Sequence, residues 1–228
     1  MGLQPVKNFR ISEKTCDVED NMKVKSAAEK NRRIAAEEKK LSGRSARFSF
    51  LIVAIGASAG GIEAFTELLL ELPADTGMAF VVIQHLDPTH HSILTELLGK
   101  ETSMKVAEVT DGMEVVPNRV FVIPPNTSMS IAGRILHLTP RGEGRGTHMS
   151  VDHFMRSLAE DQGNCAVGVI LSGTGTDGTL GMTEIQARGG VTLAQDELTA
   201  KYDGMPRSAI GAGFVDYILP PSRGPTPS

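Results

Sequence analysis

Apolar residues along the chain fall into short runs separated by polar, glycine-rich breaks, and two kinds of run alternate. Phe48 to Ile55 is almost continuously apolar, as a strand covered on both faces requires, and Ile62 to Leu72 then repeats its apolar residues at helical spacing. The pair recurs: Ala79 to Ile83 reads as a strand and His91 to Leu98 as a helix, followed by a shorter strand at Lys105 to Val109. Arg119 to Ile123, Ser128 to Ile131 and Ile135 to Leu138 are short strand patterns, and Ala132-Gly133-Arg134 between the last two predicts a hairpin appended to the sheet. Ser150 is placed to cap a helix running through Phe154 and Leu158. A buried strand from Val167 to Leu171, a helix after Gly178, a strand from Val191 to Ala194 and a last pair of segments, Pro206 to Ile210 and Phe214 to Ile218, complete the pattern. This βαβ alternation predicts an α/β fold, a doubly wound, largely parallel Rossmann-like sheet carrying a β-hairpin.

The two ends depart from that pattern. Residues 1–47 scatter a few apolar residues among many charges, which predicts a leader that is disordered or forms a solvated helix. Residues 220–228 read as a proline-rich tail or linker, leaving 48–219 as the folded domain. Charge sharpens the division. Residues 1–48 hold 12 Lys and Arg against 7 Asp and Glu, whereas the remainder holds 11 against 20, so the expected domain is acidic and no nucleic-acid partner is expected. No apolar stretch approaches the ~20 residues of a membrane span, and a cytoplasmic protein without membrane insertion is expected. Cys16 lies in the leader, and Cys165 precedes an apolar run where it serves as core filling.

In a doubly wound sheet the site forms beyond the carboxyl ends of the strands, so the polar residues after each apolar run are the ones to inspect. The first run ends in Gly56-Ala57-Ser58-Ala59-Gly60-Gly61, which fits G-x-S-x-G between a strand and a helix, the setting in which a sharp turn exposes a serine hydroxyl. Glycine-rich turns of this kind also hold phosphates, and the motif alone does not separate the two uses. The second run ends in Gln84-His85-Leu86-Asp87. A serine needs a neighbouring base, and an imidazole at His85 suits, although a lone histidine is also a common hydrogen-bonded structural residue. The run at Val167–Leu171 ends in Ser172-Gly173-Thr174-Gly175-Thr176-Asp177-Gly178. Asp177 would orient the histidine and stabilise its imidazolium; its competing role is a cap for the helix after Gly178. The order serine, histidine, aspartate differs from the α/β-hydrolase order, in which histidine comes last.

From about Phe50 to Leu219 the chain resembles the catalytic domain of the chemotaxis protein-glutamate methylesterases, the CheB family. Ile55 to Gly61 resembles the family's nucleophile loop, Val82-Ile83-Gln84-His85 its histidine strand and Leu171 to Gly178 its aspartate loop. Asp111-Gly112, Val122 to Asn126, Ser150-Val151-Asp152 and Gly204-Met205-Pro206 follow as further landmarks in the same order. The resemblance implies a serine esterase that hydrolyses glutamate γ-methyl esters on chemoreceptor helices or related signalling proteins, releasing methanol, with glutamine deamidation as a further activity. It implies a triad of Ser58, His85 and Asp177, with Thr174, Gly173 and Ala59 forming the oxyanion site and pocket and no cofactor. Alanine at any triad position is expected to remove ester hydrolysis and leave the fold intact.

The chain departs from the family in two places. Thr174 stands where members often carry methionine; because the donor there is a backbone N–H, the oxyanion site is expected to survive. In place of the usual receiver domain there is only the charged leader, and the wording around Thr174 resembles variants fused to methyltransferase and sensor modules, so a fused or partner methyltransferase or sensor kinase is expected.

Other groupings have plainer readings. His85, Asp87, His90 and His91 fall close together as metal ligands might, but the Pro88 turn spreads them, and no metal is expected. His148 and His153 read as surface or capping residues, Glu63 and Glu67 as a solvated helix face, and Met182 and Met205 as core or pocket lining. Two non-catalytic readings remain beside the esterase: a nucleotide-binding module whose glycine loops hold phosphate, and a signalling scaffold of the same fold.

Overall fold

Strands whose side chains are apolar on both faces need cover on both, and the architecture supplies it. The computed structural model describes residues 50–84, 91–140 and 149–221, with the backbone alone for 91–93. In chain order the elements are β1 (Ile52–Ala57), α1 (Gly61–Leu70), β2 (Ala79–Gln84), α2 (His91–Glu101), β3 (Lys105–Glu108), β4 (Met113–Glu114), β5 (Arg119–Val122), β6 (Thr127–Ala132) and β7 (Ile135–Pro140). There follow α3 (Ser150–Gln162), a short 3-10 turn at Gly163–Cys165, β8 (Ala166–Ile170), α4 (Thr179–Ala187), β9 (Val191–Gln195), α5 (Gly204–Gly211) and β10 (Tyr217–Leu219).

The main sheet has the order β10-β9-β8-β1-β2-β5-β3, and its pairings are all parallel. Alternation along β1 divides the core. Ile52 and Ala54 face a layer with Val151, Phe154, Met155 and Leu158 of α3 and Met182 and Ile185 of α4. Val53, Ile55 and Ala57 face Phe65 and Leu69 of α1 and Leu94 and Leu98 of α2. The predicted doubly wound, parallel sheet is therefore the one observed.

The hairpin is not part of that sheet. Gly133 and Arg134 both take positive φ, 59° and 65°, as a tight primed turn requires, and β6 and β7 pair antiparallel across it. The free side of β7 pairs with β4 instead of a main-sheet edge, giving a separate sheet of order β4-β7-β6. Polar groups of α3 hold it: the Ile131 N–H donates to Ser157 Oγ at 3.1 Å, and Asp161 accepts the N–H groups of Gly133 and Arg134.

Ser150 is the first residue of α3 and not its cap; Met149 occupies the cap position and makes no side-chain bond there. The last pair of segments resolves into the helix α5 and the edge strand β10. Among the described residues no helix is long and apolar enough to cross a membrane.

Candidate active site

The chain adds β2 and then β5 on one side of β1, and returns to lay β8 on the other. The crevice beyond the ends of β1 and β8 is thus where the winding direction reverses, the position that collects ligands in open α/β sheets. Ser58 follows β1, and the loop 171–178 follows β8. Gln84, the last residue of β2, is in register with Ala57. His85 is the next residue in the chain and lies outside the described residues, as do Asp87, His90 and His148.

The backbone of Ser58 is held from three directions. Its N–H donates to the Ser172 carbonyl at 3.1 Å, and its own carbonyl accepts the Gly61 N–H at 3.0 Å and the Gln84 side-chain amide at 3.3 Å. Gly60 follows at φ 71°, a turn geometry that glycine adopts without strain, and α1 starts at once. The turn is sharp and pinned, and the Ser58 side chain that it carries is half-buried.

Ser172 ties the second loop to the first. Its buried hydroxyl donates to the Ala59 carbonyl at 2.9 Å and accepts the Tyr202 N–H at 3.0 Å, while its own N–H donates to Gln195 Oε1 at 2.8 Å. The Gly173 N–H is taken by the Tyr202 carbonyl at 2.9 Å, so Gly173 contributes shape to the site and no free donor. A Cβ there would collide with the Met205 thioether and stand 3.0 Å from the Ser58 nitrogen, which explains glycine at this point. Among the described residues the amides of Ala59 and Thr174 have no acceptor, and Thr174 is exposed.

Asp177 is 4% exposed, and its carboxylate is the cap that α3 otherwise lacks. Oδ2 accepts the N–H of Val151 at 3.1 Å and Oδ1 that of Asp152 at 2.9 Å. The capping alternative read from the sequence thus lands on a different helix: α4, directly after Gly178, receives no side-chain cap from its own N-cap residue. A carboxylate offers about four lone-pair directions, so two amides leave room for an imidazole N–H. The same bonds correct one expectation, because alanine at position 177 would strip two buried amides of their acceptor and so disturb the fold.

A loop from Asp196 to Asp203 borders the crevice, and no local pattern marks its part. Tyr202 reaches Ser172 and Gly173 through its backbone, and Lys201 Nζ meets Glu63 Oε1 of α1 at 2.8 Å. That hydrogen bond from Lys201 holds the Glu63 carboxyl below its ordinary range. Arg207 of α5 anchors the loop from behind through Glu197, at 2.9 Å, and Asp203. Met205 is buried under Gly173 and Met182 lies in the core, as expected, and His153 is exposed on α3. Among the described residues no group of three or more His, Cys, Asp or Glu side chains is placed to hold a metal ion.

The family model described as CheB methylesterase matches residues 53–225. A protein-glutamate methylesterase/protein-glutamine glutaminase 2 of Pseudomonas aeruginosa is 36% identical over 176 residues, covering 75% of this chain and 50% of that protein. An uncharacterized 104.1 kDa protein of Rhodobacter capsulatus, from the hypE 3' region, is 47% identical over 126 residues, 55% of this chain and 13% of that protein. The crystal structure of the Thermotoga maritima CheB methylesterase catalytic domain superposes with a TM-score of 0.70 at 30% identity, covering 76% of this chain and 94% of that one. The chain spans about half the length of the Pseudomonas methylesterase relative.

Proposed function

Because the chain belongs to the CheB methylesterase family, we propose that it is a serine esterase that hydrolyses glutamate γ-methyl esters on chemoreceptor helices or related signalling proteins, and that it deamidates glutamine at such sites. The observation that carries this reading is the junction of two loops at neighbouring strand ends. The turn bearing Ser58 is bonded through its own N–H to Ser172, in the loop bearing Asp177.

Ser58 attacks the ester carbonyl while His85 takes its proton. Asp177, fixed against the start of α3, accepts the other imidazole N–H and stabilises the cation that forms. The amides of Ala59 and Thr174 are the donors left for the oxyanion, with Gly173 keeping the approach open. His85 then protonates the departing methanol and activates water against the acyl-enzyme. For deamidation the leaving group is ammonia and the other steps are the same.

Bonding in the glycine turn weighs against the phosphate-loop alternative. A phosphate cradle uses a run of successive free backbone N–H groups, but those of Ser58 and Gly61 are donated within the protein, which leaves this turn the pair at Ala59 and Gly60. In the Rhodobacter capsulatus relative the matched segment is 13% of a 104.1 kDa protein, which supports such a domain working within a longer chain; a methyltransferase or sensor module as its fused or partner component is part of the same proposal. Labelling with a fluorophosphonate probe separates the readings: an esterase is labelled on Ser58, and Ser58→Ala abolishes the label. A chain that ignores the probe and binds a nucleotide would be the phosphate-holding module instead.

A further inference from the structure

Helices α3 and α4 start side by side, and neither is capped by a side chain at its own N-cap position, Met149 in one and Gly178 in the other. Each borrows a carboxylate from the other. Asp177, two residues ahead of α4, accepts the N–H groups of the second and third residues of α3. Asp152, the third residue of α3, accepts the N–H of Gly181, the third residue of α4, at 2.7 Å. The result is a reciprocal clasp of two buried carboxyls, Asp152 being 3% exposed. Gly181 permits the close approach of the two helices, since a Cβ there would stand 2.5 Å from the Met155 Cβ and 3.3 Å from the Asp152 Cα.

The two carboxyls differ in what they hold. Both oxygens of Asp177 receive amides, whereas Asp152 Oδ2 is buried with no partner among the described residues. Burial first, and then the like charge of Asp177, lift the Asp152 carboxyl above its ordinary range, against the pull of the Gly181 amide, Arg156 and the Gly178 amide. Neighbouring carboxyls resist carrying two charges, which adds to the effect of burial on Asp152.

We propose that Asp152 is the positioning residue of the site: by holding the start of α4 onto α3, it fixes the loop that aims Asp177. The proposal rests on Asp177 being the triad acid, and the test separates the two claims. In the full chain, Asp152→Ala, Asp152→Asn and Asp177→Asn are compared with wild type by amide hydrogen exchange and by ester hydrolysis.

Asp152→Ala speeds exchange at Gly181 by about tenfold or more and at residues 151 and 152 by several fold. It lowers kcat by roughly 10- to 100-fold, as loss of alignment does, and leaves KM within about threefold. Asp152→Asn, a neutral side chain that keeps the acceptor for Gly181, restores both readouts to near wild type. Unchanged exchange at residues 151 and 152 in Asp152→Ala overturns the proposal. So does a folded Asp152→Asn that loses more than tenfold in kcat, an outcome that stays decisive even should the alanine variant fail to fold. Full turnover in Asp177→Asn would sink the triad itself, and the exchange pattern would then decide the clasp alone.

Discussion

Asp177 is asked to do two things, and substitutions can pull them apart. Asp177→Ala removes the acceptor of two buried amides, at 3.1 and 2.9 Å. A hydrogen bond to a charged group contributes about 1.5–3 kcal/mol, so the loss is about 3–6 kcal/mol out of the ~5–15 kcal/mol that hold a typical domain together. At about 2–4 °C per kcal/mol for a chain of this size, the melting temperature should fall on the order of 10–20 °C. Asp177→Asn keeps one carbonyl oxygen for one of the amides and turns an NH₂ toward the other, so it should lose about half as much stability. Its turnover should nevertheless drop by roughly 10⁴, the loss seen when a triad aspartate becomes asparagine and the histidine takes the wrong tautomer. That drop is about 5.5 kcal/mol of transition-state stabilisation, more than the fold loses. Calorimetry paired with ester hydrolysis, assayed well below each variant's melting point, reads both quantities. A melting point within about 2 °C of wild type for the alanine variant would refute the capping argument. An asparagine variant with more than a tenth of wild-type turnover would refute the catalytic one.

Thr174→Met should hold turnover within a few fold because the donor is a backbone amide, whereas Thr174→Pro, which removes it, should lose roughly 10²–10³; equal losses would show that the threonine side chain matters. Gly173→Ala forces a methyl between Met205 and the Ser58 backbone and should cost at least about tenfold in kcat, and Met205→Ala in the same chain should recover part of it, as single and double variants in one kinetic series would show. The raised carboxyl of Asp152 means that the folded state keeps its proton where the unfolded chain has lost it, so this group's contribution to stability declines as pH rises from the ordinary carboxylate range through its raised folded value. Asp152→Asn removes that decline, and its melting temperature relative to wild type should therefore climb as pH rises above the ordinary carboxylate range; a constant difference, with Asp177 and Arg156 unchanged nearby, would contradict the assignment.

The sheet was legible because parallel strands buried on both faces read as unbroken apolar runs, and Ile52–Ala57, Ala79–Gln84 and Ala166–Ile170 are such runs. Locating the strand ends, together with the G-x-S-x-G spacing, then pointed to Ser58 and to Asp177, for which a helix-cap role stayed open. Contacts between distant residues were not legible. The cap of α3 comes from Asp177, some 26 positions away, so Ser150 looked like the natural cap when only neighbours could be weighed. Asp152 stood in the sequence as a family landmark without a role, since its acceptor function depends on Gly181 lying across the helix pair. Ser172, Gln84 and Tyr202 were missed for the same reason: each acts through a bond to the backbone of another strand-end loop, and no local spacing records that. The hairpin was found, but pairing partners are chosen in three dimensions, and β7 found β4.

Methanol release shows whether Ser58 serves a protein methylesterase. Chemoreceptor cytoplasmic domains methylated on their glutamates are incubated with the wild-type chain and with Ser58→Ala, and methanol is quantified over time. Steady release by the wild type is expected, with release at the no-enzyme background by Ser58→Ala and both proteins folded. Equal release by the two, or none above background from the wild type on any methylated receptor or related signalling substrate, would contradict it.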